Sequence, residues 1–129
     1  MGSGDHTYEC IHDWAKLPSD IAFGNTHGVA QDSKGLIYIK HTVHATSAKP
    51  DALCVFDPDG KFIRSWGAEY KGGAHGLHLS KEPDGEYLYI VNAVGAISAF
   101  AVDGTTITEL PSSPIATPSG SAPFGMVVD

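Results

Sequence analysis

The chain has 129 residues, 42% of them hydrophobic and 18% charged, with a formal net charge of −7. That length suits one domain with a real core, and the negative balance argues against nucleic acid and anionic membrane surfaces as partners. No stretch approaches the roughly 20 apolar residues of a membrane-spanning helix, whereas 15 glycines suit a fold made of many tight turns.

Taken from its start, the sequence opens Met1-Gly2-Ser3-Gly4, with neither the basic nor the apolar region of a secretory signal. Residues 1–6 read as a leader outside the fold, and no targeting signal is evident. Residues 8–14 read as one strand. Two cysteines, Cys10 and Cys54, make no disulfide framework; both lie in strand-like apolar stretches, where a free thiol behaves as a small hydrophobe.

From residue 26 the signals become regular. Residues 27–31 read as a short strand, Asp32-Ser33-Lys34-Gly35 as a turn, and residues 36–40 as a second strand rich in β-branched and aromatic side chains. A polar loop over 41–51 contains Pro50. Residues 52–56 form a third strand, Asp57-Pro58-Asp59-Gly60 a hairpin turn with proline second and glycine fourth, and residues 62–66 a fourth strand. The order then recurs: strands over 75–79, 87–92, 96–102 and 106–110, with turns at Pro83-Asp84-Gly85 and Asp103-Gly104. A loop rich in Pro, Ser, Thr and Gly over 111–123 leads to a lone strand over 124–129. No segment has a useful helical apolar period.

This order is a repeat. His27-Gly28-Val29 returns as His75-Gly76-Leu77 after 48 residues, and without its histidine as Phe124-Gly125-Met126 after 49 more. The N-terminal run Cys10-Ile11-His12-Asp13-Trp14 matches Phe62-Ile63-Arg64-Ser65-Trp66 in the placing of isoleucine and tryptophan. Units of this length, built from short strands and Gly/Pro/Asp turns, are the sequence signature of β-propeller blades. The expected fold is therefore all-β, with antiparallel four-stranded β-propeller blades and about two and a half blades per chain. Within a single fragment domain over 7–129, residues 7–14 form the outer strand of an incomplete blade, 26–66 and 74–110 form two blades, and 124–129 begin another. Blades stack face to face, so the two terminal faces are expected to be exposed, which favours a homo-oligomer.

Residues 7–87 resemble the NHL-repeat propellers. The resemblance rests on Asn25-Thr26-His27-Gly28-Val29-Ala30-Gln31-Asp32, on Val55-Phe56-Asp57-Pro58-Asp59-Gly60-Lys61-Phe62-Ile63-Arg64-Ser65-Trp66-Gly67, and on Ala74-His75-Gly76-Leu77. The branch it is most similar to is the six-bladed peptidyl-α-hydroxyglycine α-amidating lyase. Residues 88–129 instead resemble a seven-bladed lactonase-type propeller, through Leu88-Tyr89-Ile90-Val91-Asn92, Ile97-Ser98-Ala99-Phe100-Ala101-Val102-Asp103-Gly104, Ser113-Pro114 and Ala122-Pro123-Phe124-Gly125-Met126-Val127-Val128-Asp129. Two resemblances joined inside the second repeat imply an engineered or shuffled chimera.

The lyase-like resemblance implies zinc held in a central channel by histidines at the start of inner strands, a position matched by His27 and His75. Neutral imidazole is a good zinc ligand, but a site wants three protein ligands or more, and the third repeat offers Phe124 instead. Several copies around one axis would restore the count. The alternative is that His-Gly is structural, capping the strand. His41 and His44 are expected in a solvated loop, His78 between blades, His6 and His12 near the exposed N-terminus, and Arg64 on a solvent-facing outer strand. Asp32, Asp57, Asp59 and Asp84 are expected to bond turn N–H groups. No phosphate loop, nucleophile elbow or Cys-His pair is visible in the sequence. No catalytic residue is assigned. The sequence therefore points to a propeller-derived fragment without catalysis of its own that folds by self-assembly, or alternatively to an oligomeric divalent-metal binder with vestigial lyase-like activity.

Overall fold

The computed structural model describes residues 1–73, 75–92 and 96–116. The protein is all-β, with antiparallel sheets, and no helix among the described residues is long and apolar enough to cross a membrane. The opening residues form a two-stranded hairpin of β1 (Gly2–Ser3) and β2 (His6–Thr7), so the expected leader has a local fold of its own. Residues 8–14, expected as a strand, join no ladder.

The first large sheet has the order β3 (Thr26–Gln31), β4 (Ile37–His41), β5 (Leu53–Phe56), β6 (Phe62–Trp66). Its turns follow from local chemistry. Asp32 Oδ1 accepts from the N–H groups of Lys34 and Leu36, and Asp57 Oδ1 from those of Asp59 and Lys61. Asp32 does more than hold its turn: it is buried, and its other oxygen accepts from the Tyr38 hydroxyl at 2.9 Å. The second sheet runs β7 (Gly76–Glu82), β8 (Gly85–Asn92), β9 (Ala96–Asp103), β10 (Thr106–Glu109), and β11 (Ile115–Ala116) also pairs with β9. The hairpin strands lie where the turn residues put them. β11, inside the expected loop, does not follow from any signal that we read. The expected strand over 124–129 lies outside the described residues.

The two sheets share one core. Strand register places Tyr38 and Lys40 of β4, Leu53 and Val55 of β5, and Arg64 and Trp66 of β6 on one face. Opposite stand Leu88, Ile90, Phe100 and Val102 of the second sheet, in the same apolar cluster as Tyr38, Leu53 and Val55. The first strands come closest: a Cβ on Gly28 would lie 2.5 Å from Leu77 Cβ. Arg64, expected in solvent, turns instead toward the second sheet. Its guanidinium donates to the Thr105 carbonyl at 3.0 Å and lies over the Trp66 ring.

The other face of the first sheet is not bare, as the sequence suggested, but half covered. Trp14, Ala15, Leu17, Ile21 and Phe23 pack on Cys54, Phe56 and Phe62, and Phe56 has no exposed surface. Backbone bonds stitch this strap down: Lys16 N–H donates to the Gly60 carbonyl at 2.8 Å, and Lys49 N–H to that of Asp20 at 2.9 Å. At the hairpin tip Gly60 has φ 80°, and a Cβ there would collide with the Trp14 carbonyl oxygen. The strap stops short of β3, where Val29 remains 68% exposed.

Candidate functional site

Equal placement of His27 and His75 in the repeat brings them together in space. Their ring centroids lie 5.4 Å apart, tilted by 54°, and both residues are exposed. The register of β3 on β4 slips between Thr26 and Gly28. His27 is thus the extra residue of a β-bulge, a device that re-aims a side chain. A shallow opening of about 270 Å³ adjoins it, lined by Thr26, His27, Gly28, Val29 and Ile39. Among the described residues no group of three or more His, Cys, Asp or Glu side chains is placed to hold a metal. His27 and His75 therefore supply two imidazoles where a closed zinc site needs a third ligand.

Beneath this end of the sheets lies a charge that the sequence did not single out. Lys40 pairs with Gly28 across the ladder, and its side chain is fully buried. Its Nζ donates to the Val91 carbonyl of the second sheet at 2.5 Å and sits 5.6 Å from the centre of the Tyr70 ring. Burial disfavours the ammonium and lowers the Lys40 pKa to about 8.

On the strapped face the structure reveals a Cys-His contact. His41, expected in a solvated loop, is the last residue of β4 and fully buried; its ring packs 4.5 Å from that of Phe23. Its Nδ1 accepts from the Val43 N–H at 3.1 Å, and its Nε2 lies 3.7 Å from Cys54 Sγ. Burial pushes the thiol up to about 12 and the imidazole down to about 4, so both are neutral at pH 7. A nucleophilic cysteine requires the opposite, a thiolate beside a cation, so this pair is structural. Cys10, placed by the sequence in a strand, is exposed. His44 lies exposed in its loop as expected, bonded to Thr46, and His78 is half-buried.

The His41 shift has a measurable consequence. Its folded pKa lies below the unfolded value of about 6.5, so below that pH the unfolded chain takes up a proton that the folded chain refuses. Stability contributed by neutral His41 is complete above pH 6.5 and is lost as pH falls toward 4. Denaturant titrations should show a loss of about 2 kcal/mol between pH 7 and 5, absent in His41→Phe. An unchanged profile in that variant would assign the acid sensitivity to other groups.

A second, larger and less open groove of about 420 Å³ lies between the turns that end both sheets, lined by Ser33, Lys34, Asp84, Glu86, Tyr87 and Thr108 among others. Its charges are already engaged. Ser33 donates its N–H and hydroxyl to Glu86, Lys81 lies 3.6 Å from the same carboxylate, and Lys34 pairs with Asp103. Burial would raise the Glu86 pKa, but the Ser33 bonds and Lys81 outweigh it and hold the carboxyl below its usual range. The groove acts as a polar seam between the two sheets. Comparison of the chain with family models, with curated proteins and with solved structures finds no match.

Proposed function

We propose that the chain is a β-propeller-type fragment whose role rests on self-assembly rather than on catalysis. The observation that carries this reading is the stacking of two four-stranded meanders with their first strands side by side, tight enough at Gly28 to admit no side chain beside Leu77. Successive blades of a propeller stack in this way, and two sheets cannot complete a ring. The resemblance of residues 7–87 to NHL-repeat propellers and of 88–129 to lactonase-type propellers supports the same reading, as does the 48-residue return of His-Gly. Light scattering on a size-exclusion column tests it. A discrete mass of several copies is the expected result, and a concentration-independent monomer overturns it.

A second reading is favoured by one observation, the approach of His27 and His75 to 5.4 Å between ring centroids. Two imidazoles from each copy, gathered around an assembly axis, would make up the ligand count for zinc or a similar divalent ion. On this reading zinc raises the melting temperature, chelator reverses the gain, and His27→Ala with His75→Ala abolishes it. Equal responses in the wild type and the double variant would leave the pair a structural contact.

A further inference from the structure

The open part of the strapped face has a definite shape. The strap covers β5 and β6 and touches Ile37 and Ile39 of β4. It leaves Val29 of β3 68% exposed, beside the opening formed by Thr26, His27, Gly28 and Ile39. What is uncovered is β3, an edge strand of the sheet.

The chain already shows what fits there. In the repeat, Val29, Leu77 and Met126 are equivalent, as are Gly28, Gly76 and Gly125. Leu77 is packed because Gly28 of the preceding sheet meets it, its Cβ 2.5 Å from where a Gly28 Cβ would be. Val29 is exposed because no preceding sheet presents a glycine to it. The sequence contains a third copy of the motif, Phe124-Gly125-Met126-Val127-Val128-Asp129, as long as the six-residue β3. The described chain runs out along β9 in the second sheet, which packs on the opposite face of the first from the strap. Residues 124–129 themselves lie outside the described residues.

We propose that each copy seats its 124–129 segment on the open β3 flank of the next, with Gly125 meeting Val29 as Gly28 meets Leu77 within the chain. The contact rests on the self-assembly reading and gives it a direction. It is heterologous, joining the tail of one copy to the head of another, so copies form a ring if the rotation closes and an open chain if it does not. Phe124 enters beside His27 in place of a third histidine, so the seam between copies differs chemically from the His27–His75 seam within one.

The test uses two full-length variants and their mixture. Val29→Arg spoils the head and keeps the tail, whereas Gly125→Arg spoils the tail and keeps the head. Each alone should be monomeric by light scattering, with the wild-type circular dichroism and a cooperative melting transition whose midpoint no longer rises with protein concentration. Mixed in equal amounts, they should form a complex of two copies that grows no further, because only one intact head and one intact tail remain. If either variant still assembles, or if the mixture stays monomeric, the head-to-tail contact is wrong while self-assembly stands. A wild type that is monomeric at every concentration overturns both. Val29→Thr, a milder change at the same exposed site, should weaken assembly several-fold; unchanged assembly in this variant would also count against the contact.

Discussion

Gly28→Ala is expected to destabilise the protein by about 2–3 kcal/mol, the usual cost of forcing extra volume into a packed interface. In a strand without other constraint the same change would stabilise, by roughly 0.5–1 kcal/mol, because glycine loses the most freedom on folding. Gly28 has no left-handed backbone to excuse it, so the sign depends on space alone. A Cβ there would stand 2.5 Å from Leu77 Cβ and 3.2 Å from its backbone nitrogen. Neither atom is the free end of a side chain that could swing away, so the two first strands must part, and the shared core of Leu53, Val55, Leu88 and Ile90 opens with them. Thermal or urea unfolding reads the effect directly. Leu77→Gly in the Gly28→Ala background should recover part of the loss relative to its effect alone. A Gly28→Ala protein as stable as the wild type would mean that the sheets are not so closely apposed.

Lys40→Met should raise stability at pH 7 by about 2 kcal/mol, or roughly 7 °C in melting temperature. The folded pKa near 8 lies below the ordinary value of 10.5. At neutral pH both states are charged, and the folded state bears the whole cost of the buried ammonium, about 3 kcal/mol for this displacement. Losing the bond to the Val91 carbonyl offsets some of the gain. Between pH 8 and 10.5 the folded chain has released a proton that the unfolded chain still holds, so the Lys40 contribution rises with pH. The advantage of the variant should therefore shrink by about 1 kcal/mol between pH 7 and 9. Cys54, pushed up to about 12, and Tyr38 and Tyr70, also raised by burial, act in the opposite sense at higher pH. The difference between variant and wild type cancels them. A variant less stable than the wild type at pH 7 would show that the amine is worth more bonded than it costs buried.

These two residues also mark where the sequence was legible. Turn chemistry at Asp32-Ser33-Lys34-Gly35 and Asp57-Pro58-Asp59-Gly60 located the hairpins, because such turns are set by side chains only two to four residues away. The repeat placed His27 near His75 because equal registers in stacked sheets bring equivalent residues together. Facing was harder. In Ile37-Tyr38-Ile39-Lys40, alternation suggests buried isoleucines and exposed tyrosine and lysine. In the folded chain Tyr38 and Lys40 have no exposed surface, and the isoleucines are half-buried. At β4 both faces are covered, one by a sheet and the other by a thin strap, so polarity no longer reports which side is inward. The same reversal hid Arg64 and His41. The strap itself, from Trp14 to Phe23, has no periodicity by which it could have been found.

The connectivity of the two meanders has a consequence for how quickly the chain folds. Among the described residues each ladder except that of β11 on β9 joins strands consecutive in sequence, so these pairings close short loops and pay little chain entropy. Contacts of long sequence separation arise later, when β7 docks on β3 and when the strap returns over Phe56. Low contact order within each sheet and high contact order between them should give fast hairpin zippering followed by a slower docking step. The strap, held by a few backbone bonds around an apolar surface, is then the last part to arrive and the first to exchange its amide hydrogens.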